Sequence, residues 1–525
     1  MAGMKSKAIL STLAAGTVGL AAHDLLQRRH ALKRNFPIIA NARYALEKIG
    51  PELRQYIVTS NDEERPFSRD QRSWVYASSK KENNYAGFGT DNDVERVDGY
   101  PIFKHRTFSD VAASSSVTDS DRIELPSAKI LGGPRERRHA FRPSSVVNIS
   151  AMSFGSLSGN AVVALNQGAK QAGIMHNTGE GSLSEYHRQG GDLIFQIGTG
   201  YFGCRDDRGR FDLKKLKDVV ESAPVKAIEI KLSQGAKPGL GGHLPAEKIT
   251  QEIAGIRGIP LDEDCVSPAR HNEFDDVDSM LDFVERIAQE TGLPVGIKSA
   301  VGSMDIWRGL VEHMADGQRG VDYIQIDGGE GGTGAAPLVF SDAVALPYRL
   351  AFTRVYSLFA EAGLTDRVTW IGSGKLGLPE NALVAFALGA DMVSVAREAM
   401  LSIGCIQAQQ CHTDHCPTGV ATQNAWLARG LDPTFKANRL ENYVRTLRRD
   451  LLKVSEACGV WHPGLLTVDD VDILDGHRRA VPLGEVYDYA PGWGTLNDSD
   501  SAAIIDIMSR TATHGRTTRQ PTVTA

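Results

Sequence analysis

The chain has 525 residues, a net charge of −6, 23% charged and 42% hydrophobic residues, with 53 glycines and 22 prolines. That balance excludes a basic nucleic-acid binder and a disordered polyampholyte, and describes a loop-rich globular enzyme-like chain with ample core. Six cysteines, three of them crowded between Cys405 and Cys416, do not make a secreted disulfide scaffold and point to a reducing, cytoplasmic-side compartment.

Ala8 to Leu26 is Ala/Gly-rich and about long enough to span a bilayer, with Lys5 and Lys7 before it and Arg28, Arg29, Lys33 and Arg34 after it. A transmembrane anchor over residues 1–34 would leave the main body on the cytoplasmic side. An ordinary Ala-rich helix and a cleaved targeting peptide stay open beside it. Residues 35–90 read as a helical cap broken by Pro66 and by the Asn/Gly run from Asn83 to Gly89.

From about residue 140, short β-branched runs alternate with helical stretches. The strands are expected at 146–150, 174–177, 193–197, 227–232, 295–298, 323–327, 368–372 and 392–396. Eight near-continuous apolar strands, each followed by a helix, predict a (β/α)8 barrel, with an open doubly wound sheet as the other arrangement. Most strands hand over at their C-terminal end to a glycine- or charge-bearing segment, such as S-A-M-S-F-G, N-T-G-E-G, K-L-S-Q-G-A-K-P-G and D-G-G-E-G-G-T-G. Barrel enzymes assemble their sites at that rim.

Two of these segments read as a phosphate cradle. Gly328, Gly329, Gly331, Gly332 and Gly334 leave room for backbone N–H groups to approach an anion, and Gly372 and Gly374 close the other side. Asp327, at the strand end, would hold a sugar-type hydroxyl or fix its loop through backbone N–H groups. Gly198, Gly200 and Gly203 match G-x-G-x-x-G, but the next helix starts about ten residues on, so they open no dinucleotide-binding helix.

Cys405, Cys411 and Cys416 stand at C-x5-C-x4-C spacing with Pro417 directly after. An iron–sulfur cluster is one reading. Buried apolar thiols, a disulfide with a spare thiol, and a zinc site completed by His412 or His415 are the others. Downstream, residues 436–508 form a helical region led by the amphipathic stretch 438–459, and 509–525 read as a disordered tail.

Together S-A-M-S-F-G-S-L-S, N-T-G-E-G, K-L-S-Q-G-A-K-P-G-L-G-G-H-L-P, D-G-G-E-G-G-T-G-A-A-P and C-P-T-G-V-A-T-Q resemble the FMN-binding synthase domain of the glutamate synthase family, over roughly residues 85–430. The resemblance implies a (β/α)8 barrel at 91–435 holding FMN and a [3Fe-4S] cluster, the reaction being reduction of 2-iminoglutarate, formed from 2-oxoglutarate and ammonia, to glutamate. It implies Cys405, Cys411 and Cys416 as cluster ligands. Gly328, Gly329, Gly372 and Gly374 would face the FMN phosphate. Met152, Ser153, Asn177, Gln196, Lys231 and Lys298, with Asp327, would surround the rest of the flavin. Gln234, Lys237 and Glu180 would contact 2-oxoglutarate, Lys237 supplying the charge a dicarboxylate needs. Taken alone, Lys231 also reads as a strand-end surface lysine, Glu180 as a helix cap and Gln196 as a core hydrogen-bonder.

Three features bear on nitrogen source, electron donor and substrate, the first and last of them departures from the family pattern. No glutaminase domain with an N-terminal cysteine nucleophile precedes the barrel, so a separate glutaminase, free ammonia or an amine is the expected nitrogen source. No NAD(P)-binding domain is evident, so a ferredoxin or a reductase subunit is the expected electron donor. Asp275 and Asp276 stand near where the family places a serine by the 2-oxoglutarate carboxylate, and either would repel that substrate if it faced it. A different flavin-dependent amine or 2-hydroxy-acid oxidoreductase, and a membrane-anchored flavin and iron–sulfur electron-transfer protein, remain as alternatives.

Overall fold

The computed structural model describes residues 2–27, 31–59, 63–109 except 86, 91 and 95, residue 111, and 124–517. The chain divides into two compact units, residues 1–71 and 72–525. In the first, helices Ala2–Leu26, Ala31–Asn35 and Ile39–Leu53 follow one another. Asp24 is fully buried and accepts hydrogen bonds from the Ile38 N–H at 2.9 Å and from Asn41 Nδ2. This carboxylate, within the stretch expected to anchor, is spent on fixing the turn that follows. Among the described residues no helix is long and apolar enough to cross a membrane.

The second unit is built on eight parallel strands: β1 (Val147–Ile149), β2 (His176–Asn177), β3 (Leu193–Ile197), β4 (Val225–Lys231), β5 (Val295–Ser299), β6 (Tyr323–Asp327), β7 (Thr369–Ser373) and β8 (Met392–Val395). They pair in chain order, and β8 closes on β1 through Val393 opposite Val147, making the expected barrel. The alternation predicted from sequence holds because every strand is covered outside by helices and filled inside by side chains.

The barrel floor is apolar: Leu131 from the preceding segment plugs it against Met175, Ile194, Ala227, Tyr323, Ile371 and Met392. Tyr323 takes the space that Gly296 leaves, since a Cβ there would lie 2.4 Å from its ring. Below the floor, Arg137 bonds Asp322 at 3.0 Å and Glu285 at 2.7 Å, clamping the segment before β1 to the rest of the barrel.

Helix Gly159–Ala172, capped by Ser158 and ended by the left-handed Gly173, lies against the long helix Pro433–Ala457. Gly168 allows their close approach, for a Cβ there would be 2.8 Å from Ala437 O. Asp98–Phe103 pairs antiparallel with Val471–Asp475, which pairs with Ala480–Pro482, so the two ends of the second unit share one small sheet. An insertion between β4 and β5 carries a two-stranded ribbon, His243–Leu244 with Cys265–Val266, and helices Gln251–Arg257 and Val277–Thr291. The tail expected from Ser509 continues as helix Asp498–Thr517, and residues 518–525 lie outside the described residues.

Candidate active site

Inward-facing positions on four of the strands change from apolar to polar toward the rim. Ile194 is followed by Gln196, Ala227 by Glu229 and Lys231, Tyr323 by Gln325 and Asp327, and Ile371 by Ser373. The polar layer is tied together. Glu229 Oε1 accepts from Asn177 Nδ2 at 2.8 Å and Gln196 Nε2 at 2.6 Å, while Lys298 Nζ lies 3.4 Å from Asp327 Oδ2. Gln325 donates to Ser373 Oγ at 3.3 Å and accepts from Ser394 Oγ at 3.1 Å. Burial pushes the Asp327 carboxyl up, but Lys298, Ser373 and the Gly235 N–H outweigh it and hold it below the usual carboxylate range. Burial pushes the Glu229 carboxyl up, and here it prevails.

The rim loops meet over this layer. Asp327 Oδ2 accepts the Gly235 N–H at 2.9 Å, so of its two expected roles the structure displays the loop-fixing one. Gly235 must be glycine at this crossing, where a Cβ would sit 2.0 Å from Gly328 O. Met152 and Ser153 follow β1 beside the β2 turn, where a Cβ at Gly179 would lie 2.8 Å from Ser153 N. His187 Nε2 bonds Met152 O at 3.3 Å from behind.

Glu180 caps no helix. Its Oε1 meets Lys231 Nζ at 2.6 Å, in space left by Gly198 and Gly242. Lys237, 5% exposed, stands near this pair, yet its ammonium makes no ion pair or hydrogen bond among the described residues. Burial, and then Lys231, lower its pKa to about 8. Gln234 Nε2 donates to Gly332 O at 2.8 Å, tying the β4 loop to the β6 loop. Asp275 and Asp276 do not join the site: both are exposed, and Asp276 caps helix Val277–Thr291 by accepting the Ser279 N–H at 2.8 Å.

The cradle differs in detail from expectation. The N–H groups of Gly328, Gly329 and Gly331 already donate to Ser373 O, Leu346 O and Gly328 O. Those of Gly332 and Gly374 take no backbone acceptor among the described residues, and Gly374 (φ 123°) lies against Gly328. Arg397, in the first turn of helix Arg397–Ser402 after β8, packs on Gly332 and donates to Glu330 O. A half-buried guanidinium beside N–H groups without a backbone acceptor is suited to an anion. Sequence reasoning missed Arg397, which follows β8 directly as S-V-A-R, and Glu229, which sits inside an ordinary strand run.

The three cysteines share one loop that the second unit holds closely. Tyr76 donates to Cys405 O at 2.8 Å, and Lys248 Nζ, buried, reaches Ser156 O at 2.7 Å with Cys411 O and Ala421 O both at 3.2 Å. Burial raises the Cys405 thiol to about 12, with Cys411 and Cys416 adding to the effect. Burial also pushes Cys416 up, but the N–H groups of Ala421, Thr418 and Val420 outweigh it and favour the thiolate. Backbone N–H groups around sulfur suit a cluster-bound thiolate at Cys416, whereas burial favours the neutral thiol at Cys405 and Cys411. His415 Nδ1 is occupied by Thr413 O, and among the described residues no group of three His, Cys, Asp or Glu is assembled for a metal ion.

A closed parallel barrel whose rim gathers lysines, amides and glycine loops has the architecture of the (β/α)8-barrel enzymes. The conserved region in glutamate synthase matches residues 107–461, and the chain belongs to that family. It is 38% identical over 470 residues to the glutamate synthase large subunit-like protein YerD of Bacillus subtilis, covering 84% of this chain and 89% of that one. It is 33% identical over 348 residues to the archaeal-type glutamate synthase [NADPH] of Thermotoga neapolitana, and 34% over 347 to the archaeal glutamate synthase [NADPH] of Methanocaldococcus jannaschii. Those two matches take in 65% of this chain and 63% of each relative.

Proposed function

We propose that this chain is an FMN-dependent oxidoreductase that reduces an imine, formed from 2-oxoglutarate and ammonia or an amine, to glutamate. The observation that carries the reading is Lys237. Glu180, already bonded to Lys231, is the one carboxylate that acts on this ammonium and does not pair with it, so a second anion would complete it. A substrate carboxylate does so, with Gln234 fixing the loop that carries Lys237 and Glu180 holding Lys231 in place. FMN, when bound, supplies the two-electron reduction. Arg397 and the N–H groups of Gly332 and Gly374 would take its phosphate, and Lys231 and Lys298 would meet the acceptor edge of its ring system. A lysine there favours the charge that reduction places on the ring.

Cys405, Cys411 and Cys416 are proposed to hold a [3Fe-4S] cluster that passes electrons inward from a separate donor on the cytoplasmic side. The archaeal-type and archaeal relatives are named for NADPH, and we assign this chain a ferredoxin or reductase partner because its G-x-G-x-x-G run at Gly198 opens no helix. The test is anaerobic. An optical and EPR spectrum of the isolated protein is expected to show flavin bands and an oxidised three-iron signal, and 2-oxoglutarate with ammonia is expected to reoxidise the dithionite-reduced flavin. Flavin that stays reduced would move the substrate elsewhere. Rapid reduction by NADPH alone would remove the separate donor.

A further inference from the structure

Glu229 sits mid-strand in β4, between Ala227 of the floor and Lys231 of the rim, and is fully buried. Its Oε1 accepts two hydrogen bonds, from Asn177 Nδ2 at 2.8 Å and Gln196 Nε2 at 2.6 Å, while its Oε2 is buried with no partner. A buried carboxyl with half its acceptor capacity idle is unfavourable, and an apolar residue would close a merely structural interior better.

What the carboxyl does is select which end of each amide faces it. An Asn or Gln amide carries donors at one end and an acceptor at the other, and a turn of the last torsion exchanges them. A carboxylate only accepts, so both amide nitrogens turn toward Glu229 and both oxygens turn away. Asn177 Oδ1 then takes the Gly179 N–H at 3.0 Å and shapes the β2 turn. Gln196 Oε1 finds no partner among the described residues, one inward position rimward of Ile194. The polar ring atoms of oxidised isoalloxazine are all acceptors except N3, its one N–H. The lysines suit the acceptors, and the turned oxygen of Gln196 suits N3–H.

We infer that Glu229 is a positioning residue of the flavin site, holding the Gln196 amide so that its oxygen accepts from the ring N3–H. The inference rests on the reading of this site as FMN-binding. It is tested on the full chain reconstituted with FMN, reading FMN affinity by quenching of flavin fluorescence and N3–H ionisation by absorbance against pH. In the native protein the N3–H pKa is expected above its value in a variant that lacks the Gln196 contact, since the lysines draw it down in both. Glu229→Leu lets the amide turn, and should weaken FMN about 10-fold, the worth of one neutral hydrogen bond, and lower the N3–H pKa from its native value. Gln196→Met should do the same, and the double variant no more than either. Glu229→Gln keeps an oxygen for both donors and should stay within about 3-fold of native affinity, well inside one hydrogen bond.

Native affinity and native N3–H ionisation in Glu229→Leu overturn the inference. If that variant does not fold, Gln196→Met decides in its place by the same two readings. A Glu229→Gln protein as weak as Gln196→Met also overturns it, since charge and not amide orientation would then be the cause. Absence of FMN binding by the native chain overturns the flavin reading and this inference together, whereas native binding with indifferent variants removes only the role of Glu229.

Discussion

The barrel carries buried charge at both ends, and the two ends treat it differently. At the floor, the Arg137 guanidinium meets both oxygens of Asp322 and both of Glu285, so cation and carboxylates complete one another. At the rim, Lys237 has no partner among the described residues and Glu229 leaves one oxygen idle. The Arg137 cluster is satisfied within the fold, whereas the rim pair of Lys237 and Glu229 keeps polar capacity that a ligand can use.

Arg137→Met tests the floor and should produce the largest loss. It strands the buried Asp322 and the half-buried Glu285, which costs about 3 kcal/mol. The drop should appear in urea unfolding, with FMN affinity of the surviving folded fraction unchanged. If Arg137→Met left stability intact but abolished flavin binding, the division between floor and rim would be wrong.

Lys237→Met tests the rim, and its signs are reversed. Removing a charge-assisted contact to a carboxylate should lower kcat/KM for the 2-oxoglutarate reaction about 100-fold, equivalent to about 2.7 kcal/mol, within the range for charged hydrogen bonds. Stability should hold or rise, because an unpaired buried ammonium has been taken away. The pH profile carries the same information. With Lys237 titrating near 8 in the free protein, kcat/KM should fall as pH rises through about 8, and the Met variant should lose that limb.

Buried histidines sharpen the comparison through acid. His187, behind Met152, titrates at about 4 and His462, under Pro126, at about 3, both through burial. In each, Nδ1 accepts a backbone N–H, from Ser184 and Gly464, so protonation would abolish an acceptor. Their folded pKa values lie below the usual 6.5, so between the two the unfolded chain binds the extra proton. Stability is therefore complete above about 6.5 and lost on acidification, by about 1.4 kcal/mol per pH unit for each histidine down to its folded value. Urea midpoints between pH 7 and 5 measure the slope. Replacing His462 alone by Gln should remove about one histidine's share while leaving the rim untouched.

The eight strands were legible because their apolar runs are short, β-branched and bounded by glycine, and each landed within a few residues of its expected place. The rim residues were legible because K-L-S-Q-G-A-K-P-G and D-G-G-E-G-G-T-G carry glycines that only a loop crossing requires, as Gly235 over Gly328 demonstrates. Glu229 was not legible: in A-I-E-I-K it has the alternation of any half-exposed strand, and only closure of the barrel turns its side of β4 inward. The donor pattern of the cradle was hidden for a related reason. A glycine run announces room for backbone N–H groups, but whether Ser373 O and Leu346 O have already taken them depends on neighbours in space.

Asp276 marks the smallest effect and the limit of reading charge from position. Near a site for a dicarboxylate, an aspartate suggests repulsion and a changed substrate. In the fold its carboxylate faces outward and accepts the Ser279 N–H at the first turn of Val277–Thr291, where the helix dipole favours a negative charge. Asp276→Ala should therefore lower the urea midpoint slightly, by loss of the cap. Asp276→Asn, which keeps an acceptor for the cap, should restore most of it, and neither variant should change KM for 2-oxoglutarate. A KM that fell on removing the charge would put this carboxylate at the mouth of the site and reopen the choice of substrate, because the rim would then hold an anion opposed to Lys237.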